Sequence, residues 1–447
     1  MKIIKEDNFL SLAGNLVISF FGIASFSLLA RTFPMEVFGE WVIFISASTL
    51  IEMFRYGIIN TAIVRYLSGA KPEDRIKFIG SNGLIGIIAS IIIFIVLYLT
   101  LLAFPRSIHN SGYELFFKWY PLMALINLPM NTALVILQSD LKFGKILLIR
   151  SIESAGFFLF VSFNFLFLHL SLTQLVWSYL MVDAIASGTC IIMGWDGLKY
   201  LTKATLESVK TLLHFGKYTA FTLIGTNLLR SADTFIISFS PMGTAAVALY
   251  SIPMKITELQ QIPLRSFAAT AFPKLSKASM NGKYEELKEI FYTYSGAMTY
   301  LFMAISLVIF VFADLFVLVL GGKQYLGADP VSGFNAATIL RIFCIYGIFL
   351  PIDRMTGITL DSMNKPSYNF LKVLWMIIAN VIGDLIAIFY FKSLNLVAVA
   401  SIFFTIIGIG FGFLFMRKVI SLKIISIFSY GLNFYKMIFE RLSKKSF

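Results

Sequence analysis

The sequence predicts an all-α polytopic membrane protein of about twelve transmembrane helices in two six-helix lobes, and three observations predict it. The chain of 447 residues is 58% hydrophobic and 14% charged, with a mean hydropathy of +0.83, outside the range of soluble globular domains. Its apolar residues form continuous runs of about 20 residues, the length that spans a bilayer as helix, without the alternation that marks a membrane strand. Lysine and arginine gather in every second loop, as the positive-inside rule requires.

Taken in order, the apolar runs lie near 9–30, 38–66, 79–104, 119–140, 146–169, 172–195, 216–240, 244–273, 290–320, 334–360, 368–391 and 394–416. The first follows a charged start, MKIIKED, and runs to Ala30 with no small-residue cleavage site behind it. It is expected to be a retained span and not a signal peptide. Placing both termini and alternate loops on one side collects Lys2 and Lys5, then Arg65, Lys71, Arg75 and Lys77, then Lys142, Lys145 and Arg150. The same side takes Lys199, Lys203, Lys210 and Lys217, then Lys274, Lys277, Lys283 and Lys288, then Lys365 and Lys372. The other side keeps Arg31, Arg106, Lys118, Lys323 and Lys392, so both termini are expected in the cytoplasm. The net charge of +13 therefore reflects orientation, and nucleic acid is not an expected partner.

The outer loops near 105–118 and 321–333 are too short to fold as catalytic domains. The inner stretch 196–215 is the expected linker between a first lobe, 1–195, and a second, 216–416. The tail 417–447 mixes apolar residues with Lys423, Lys436, Arg441, Lys444 and Lys445. It is expected to lie as an amphipathic helix on the cytoplasmic leaflet, the alternative being a further span near 424–439. Cys190 and Cys344 sit in apolar runs without CxxC spacing, and His109, His169 and His214 are scattered, so no disulfide framework or metal site is expected.

The halves share a weak repeat. Phe33-Pro34-Met35 enters the second run through FGEWVIF, and Ser240-Pro241-Met242 enters the eighth through VALYSIP. Each then ends in a basic loop. Because each lobe holds an even number of spans, the pseudo-two-fold axis runs along the membrane normal.

These residues resemble a family. LLARTFPMEVFGEWVIF is similar to the opening of the polysaccharide transport family, the repeat-unit flippases for O-antigen and capsule within the multidrug/oligosaccharidyl-lipid/polysaccharide exporter superfamily. The stretch FGKYTAFTLIGTNLLRSADTFIISFSPMGTAAVALYSIPMKI and the ending Pro273 to Ser276 resemble that family's seventh and eighth helices, including Asp233 after a small polar run. The resemblance implies a MATE-like fold and a transporter, not an enzyme. The first run carries no charge before Arg31, unlike the cationic first helix of relatives that flip the peptidoglycan precursor.

Ionisable residues inside the runs are the candidate site, because each costs about 2.5 to 3.5 kcal/mol at a helix centre on insertion scales. The first lobe has Glu52 and Arg55, with Glu153 and Asp183 later; the second has Arg230 and Asp233, Lys255 and Glu258, Arg265, Asp314, Arg341, Asp353 and Arg354, and Asp384. Glu52/Arg55, Arg230/Asp233 and Lys255/Glu258 are spaced i,i+3 on one helix face. They are either neutral pairs that stabilise helix contacts or the lining of a hydrated cavity. Arg265 and Arg341 have no carboxylate three or four residues away, and Pro253, Pro263 and Pro351 sit beside charges, which favours the cavity.

An undecaprenyl pyrophosphate-linked oligosaccharide fits this design. Arg55, Arg230, Lys255, Arg265, Arg341 and Arg354 are the expected pyrophosphate or cavity cations. Glu52, Asp233, Glu258 and Asp384 are expected to pair charges or to couple transport to H+ or Na+, with no other cofactor. Trp119, Tyr120, Trp177 and Tyr179 offer stacking faces or form interfacial belts. The expected function is a flippase in the bacterial inner membrane working by alternating access, with membrane lipids and polysaccharide polymerase or chain-length proteins as partners. The rivals are a small-molecule cation antiporter of the same superfamily and a membrane polysaccharide polymerase.

Overall fold

The computed structural model describes the backbone of residues 2–109, 111–328 and 333–443. Side chains are described for the same residues except 2–16, 58, 61, 65, 68–69, 215–224, 226, 230, 438 and 441–443. Among them every regular element is a helix. Among the described residues, eight helices are long and apolar enough to cross a membrane, and a bent pair makes a ninth if it is one span. The chain divides into two compact units, Met1–Ser231 with Pro241–Ala248, and Ala232–Ser240 with Leu249–Phe447.

The first unit opens with α1 (Lys2–Thr32), α2 (Met35–Gly69) and α3 (Pro72–Ala103). Pro34 stops α1 from running into α2, and Pro72 sits in the first turn of α3, where its missing N–H has no partner to lose. After the short α4 (Pro105–His109) come α5 (Glu114–Ile126), α6 (Leu128–Ser139), α7 (Phe143–Phe163) and α8 (Leu172–Ile192). A capping box of Ser171 and Gln174 starts α8. The core joins Ile59, Ile63 and Leu67 of α2 to Ile79, Val135 and Ile136, and Met130 and Leu134 to Ile149, Ala186 and Cys190. Outward, α3 presents Ile88, Ile91, Ile92, Ile95 and Val96, a face that lipid covers without cost.

The expected linker is packed against α3. A Cβ on Gly80 would meet the Tyr200 carbonyl oxygen at 2.1 Å, and Thr205 N–H donates to Ser81 Oγ at 3.4 Å. From there α9 (Leu206–Ser238) leaves directly, with Leu212 in the first unit's core. Gly39, the glycine of the FGEW motif, meets the start of α10 (Gly243–Met280): a Cβ there would lie 1.9 Å from the Thr244 carbonyl oxygen. Only hydrogen fits at that position.

The second unit continues with α10, whose 38 residues make about 57 Å of helix and hold Pro253, Pro263 and Pro273 inside it. Then follow α11 (Tyr284–Val311), α12 (Ala313–Gly321), α13 (Ala336–Ser362), α14 (Pro366–Leu385), α15 (Leu394–Met416) and α16 (Ile425–Ser443). Gly408 and Gly412 of α15 lie against Met376, Asp353 and Thr356, a small-residue seam for close packing.

The tail forms a helix that packs along α11. Tyr292 pairs with Tyr430, Gly296 with Gly431, and Tyr300 with Tyr435, so α16 runs along α11 in the same direction. Tyr435 Oη donates to the Ala297 carbonyl at 2.8 Å. The cause is the glycine pair: a Cβ on Gly296 would fall 2.1 Å from the Ile427 carbonyl oxygen, so two bare backbones meet there. The exposed Ile425, Leu432, Met437 and Phe439 give α16 an apolar outer side.

Candidate functional site

Two polar clusters stand in the otherwise apolar helices, one in each unit. The first is built on α2. Glu52 and Arg55 share a helix face and join at 2.6 Å, and the guanidinium also donates to Tyr56 Oη while lying over the Tyr56 ring. Arg55 is 3% exposed, so this cation is enclosed in the fold and bound to Glu52. Tyr120 Oη donates to Glu52 Oε1 at 2.9 Å and Asn131 Nδ2 to Oε2 at 3.3 Å. Those two reach the same carboxylate because α5 and α6 meet at an angle of 49° around Asn127. Pro129 has no N–H to give Leu125 and its ring crowds that carbonyl, which breaks the helix there.

Beside this cluster lies a cavity of about 430 Å3 within the first unit, lined by Glu52, Asn60, Asn127, Asn131, Arg150, Glu153, Tyr179 and Asn227 among others. Arg150 Nη1 donates to Glu153 Oε2 at 2.8 Å across one turn of α7. The side-chain oxygens of Asn60 and Asn127 are buried without a hydrogen-bond partner. Asp183 on α8 is fully buried behind them, with Glu153 and Glu52 as charged neighbours.

The second cluster joins four helices, α9, α10, α14 and α15, within the second unit. Asp233 accepts from Tyr250 Oη at 2.7 Å, from Asn380 Nδ2 at 3.1 Å and from Ser401 Oγ at 3.5 Å. Asn380 also donates to Asp384 Oδ2 at 3.0 Å, and Asp384 Oδ1 is buried without a partner. Asp384 is 0% and Asp233 5% exposed, so two carboxylates share one amide out of water. Two adjacent buried anions repel, so the pair is unfavourable with both acids ionised.

The remaining expected residues are dispersed. Lys255 and Glu258 pair at 3.0 Å on α10, and Arg265 is exposed on the same helix. Arg341 is not without a carboxylate: Nη2 meets Asp314 Oδ2 at 2.6 Å and Nε donates to the Phe310 carbonyl. Its partner stands on α12, out of reach of any count along one helix. Arg354 is exposed on α13, whereas its neighbour Asp353 pairs with Lys372 at 2.6 Å. Lys372, which the charge pattern assigns to a loop, is 2% exposed inside the second unit. The Arg230 side chain lies outside the described residues. Trp119 and Trp177 pack edge-on against each other at 4.8 Å, while Tyr120 and Tyr179 serve the first cluster.

Sequence reasoning passed over Asn127, Asn131, Tyr250, Asn380 and Ser401. One signal was present: Asn380 and Asp384 are spaced i,i+4 in the apolar run WMIIANVIGDLIAIF, hence on one face. The others carry no charge and stand singly, so nothing in the pattern marks them.

A model of the family described as polysaccharide biosynthesis protein matches residues 4–279, more than half of the chain. Over 359 residues, 78% of this chain and 70% of the relative, it is 20% identical to the probable low-salt glycan biosynthesis flippase Agl15 of Haloferax volcanii. Its fold is similar to that of a multidrug resistance MATE family transporter of the MOP superfamily in an inward-facing conformation. That likeness has a TM-score of 0.74 at 15% identity, over 91% of this chain and 97% of the other. It is similar also to the lipid II flippase MurJ, at a TM-score of 0.70 and 17% identity over 96% of this chain and 92% of the other. The architecture is thus that of a MATE-like polytopic membrane protein.

Proposed function

Because the chain belongs to the polysaccharide biosynthesis protein family, we propose that it is a flippase carrying a lipid-linked oligosaccharide across a membrane, and not an enzyme acting on one. The observation that carries this reading is the cavity of about 430 Å3 in the first unit, a chamber of amides, carboxylates and a guanidinium inside a bundle with an apolar exterior. A sugar needs a polar chamber of this kind to cross hydrocarbon, while its lipid tail stays between helices and bilayer. The relatives named as glycan and lipid II flippases support it.

In its finer form the cargo is an undecaprenyl pyrophosphate-linked repeat unit of O-antigen or capsular polysaccharide, moved by alternating access through the bacterial inner membrane. The N-terminus and the basic loops face the cytoplasm, and a polymerase or chain-length protein receives the product. Arg265 and Arg354, both exposed, meet the pyrophosphate, and Asp233, Asn380 and Asp384 bind the coupling proton or Na+.

The test is transport in proteoliposomes loaded with a fluorescent polyprenyl pyrophosphate oligosaccharide. Lectin or periodate added outside should reach sugar initially inside, faster than in protein-free vesicles. An unchanged rate rejects the flippase. The buried carboxylates favour a second reading, a small-molecule cation antiporter, which requires instead that the same vesicles extrude an organic cation against a proton or Na+ gradient.

A further inference from the structure

We infer that the cavity of the first unit is the subsite for uncharged sugar rings of the cargo, and that it rejects both the pyrophosphate and acidic sugars. The inference rests on the flippase reading and adds to it which part of the cargo goes where. Its first ground is charge. Among the described residues, the wall holds two carboxylates, Glu52 and Glu153, against one cation, Arg150, which is bound to Glu153 at 2.8 Å. Arg55 neutralises Glu52 from behind and is 3% exposed, so it offers no face to a ligand. The fully buried Asp183 adds a further anion close by. A pyrophosphate or uronate would leave water for a site whose cations are already matched, which is unfavourable.

The second ground is hydrogen bonding. Asn60, Asn127 and Asn131 stand on the wall, and the Asn60 and Asn127 oxygens are buried with no donor. Amide and carboxylate groups on one wall suit a ligand that both donates and accepts hydrogen bonds. Sugar hydroxyls are donors, and in turn accept from amide N–H groups; carboxylate oxygens take the hydroxyls best of all. Tyr179, held edge-on by Trp41 and Phe157 at 5.7 and 4.9 Å, supplies a fixed flat wall for a ring. The volume of about 430 Å3 falls within the range of small-ligand pockets, roughly 300–1,000 Å3.

The experiment uses the purified full chain in lipid nanodiscs and four probes: maltotriose, N,N′,N″-triacetylchitotriose, trigalacturonate and inorganic pyrophosphate, followed by saturation-transfer NMR and calorimetry. At least one neutral trisaccharide should bind saturably, unaffected by millimolar pyrophosphate, with trigalacturonate at least tenfold weaker. Asn60→Leu and Glu153→Leu should each weaken the neutral sugar tenfold or more, with thermal melts of the empty protein near that of the parent. Tighter binding of trigalacturonate, competition by pyrophosphate, no bound trisaccharide, or unchanged affinity in both variants overturns the inference. Neutral sugar bound by a chain that fails the vesicle assay sinks the flippase and leaves the subsite; transport with none of these binding results does the reverse.

Discussion

Asn380 on α14 stands between Asp233 on α9 and Asp384 one turn along its own helix, and its single amide donates to both, at 3.1 and 3.0 Å. Tyr250 and Ser401 complete the circle around Asp233. Nothing described in that circle is a fixed cation, so two ionised carboxylates there would be unfavourable, which motivates the proposed coupling role. The Asp384→Asn chain should fold and hold sugar but lose the dependence of transport on an imposed Na+ or proton gradient. Vesicle transport measured with and without each gradient decides it, and a variant that responds to gradients like the parent refutes the coupling role.

Two ion pairs that differ in burial should differ in stability. Glu52→Ala leaves the enclosed Arg55 guanidinium without its carboxylate and should cost about 3–5 kcal/mol. Arg341→Gln breaks a pair whose side chains are 33% and 56% exposed, worth no more than about 1 kcal/mol. Thermal melts in one detergent should rank the first variant far below the second, which should stay near the parent. Equal losses would mean that the burial of Arg55 does not govern its pair.

Gly39 offers a packing test. Its missing Cβ leaves room for the Thr244 carbonyl, so Gly39→Ala should cost about 1–3 kcal/mol by overpacking. Gly188 has nothing within 4 Å of a built Cβ, and Gly188→Ala should be neutral or gain a few tenths to about 1 kcal/mol from helix propensity. Indistinguishable melting temperatures for the two would contradict the close approach.

The direction of α16 sets a topology prediction. Because it rises beside α11, its last residues should lie on the side of the membrane opposite Lys283, before the start of α11. In a Cys190→Ser, Cys344→Ser background, an impermeant maleimide should label Ser443→Cys and Lys283→Cys from opposite faces. Labelling from one face would restore the surface helix. Gly431→Leu should abolish the difference by pushing α16 off Gly296.

How much of this was legible in the sequence follows from the range of each force. Helices of membrane length and their breaks at Pro34 and Pro72 depend on local composition and backbone chemistry, so the chain declares them itself. The pairs Glu52/Arg55 and Lys255/Glu258 were legible for the same reason, since i,i+3 neighbours meet on any helix. The runs near 216–240 and 244–273 also form helices, α9 and α10, each extending beyond its apolar run.

What only the tertiary structure decided is which distant residues share a place. Arg341 finds Asp314 on another helix, Lys372 leaves its apparent loop for Asp353, and α16 packs by a glycine seam on α11. The candidate sites are of this kind. A bend at Asn127 delivers Tyr120 and Asn131 to Glu52, and Asn380 is shared by acids 151 positions apart in number, Asp233 and Asp384. Apolar periodicity fixes that a helix forms and crosses the membrane, but not its rotation about its own axis. That rotation comes from packing against neighbours, and it determines whether an asparagine faces a cavity, a carboxylate or lipid.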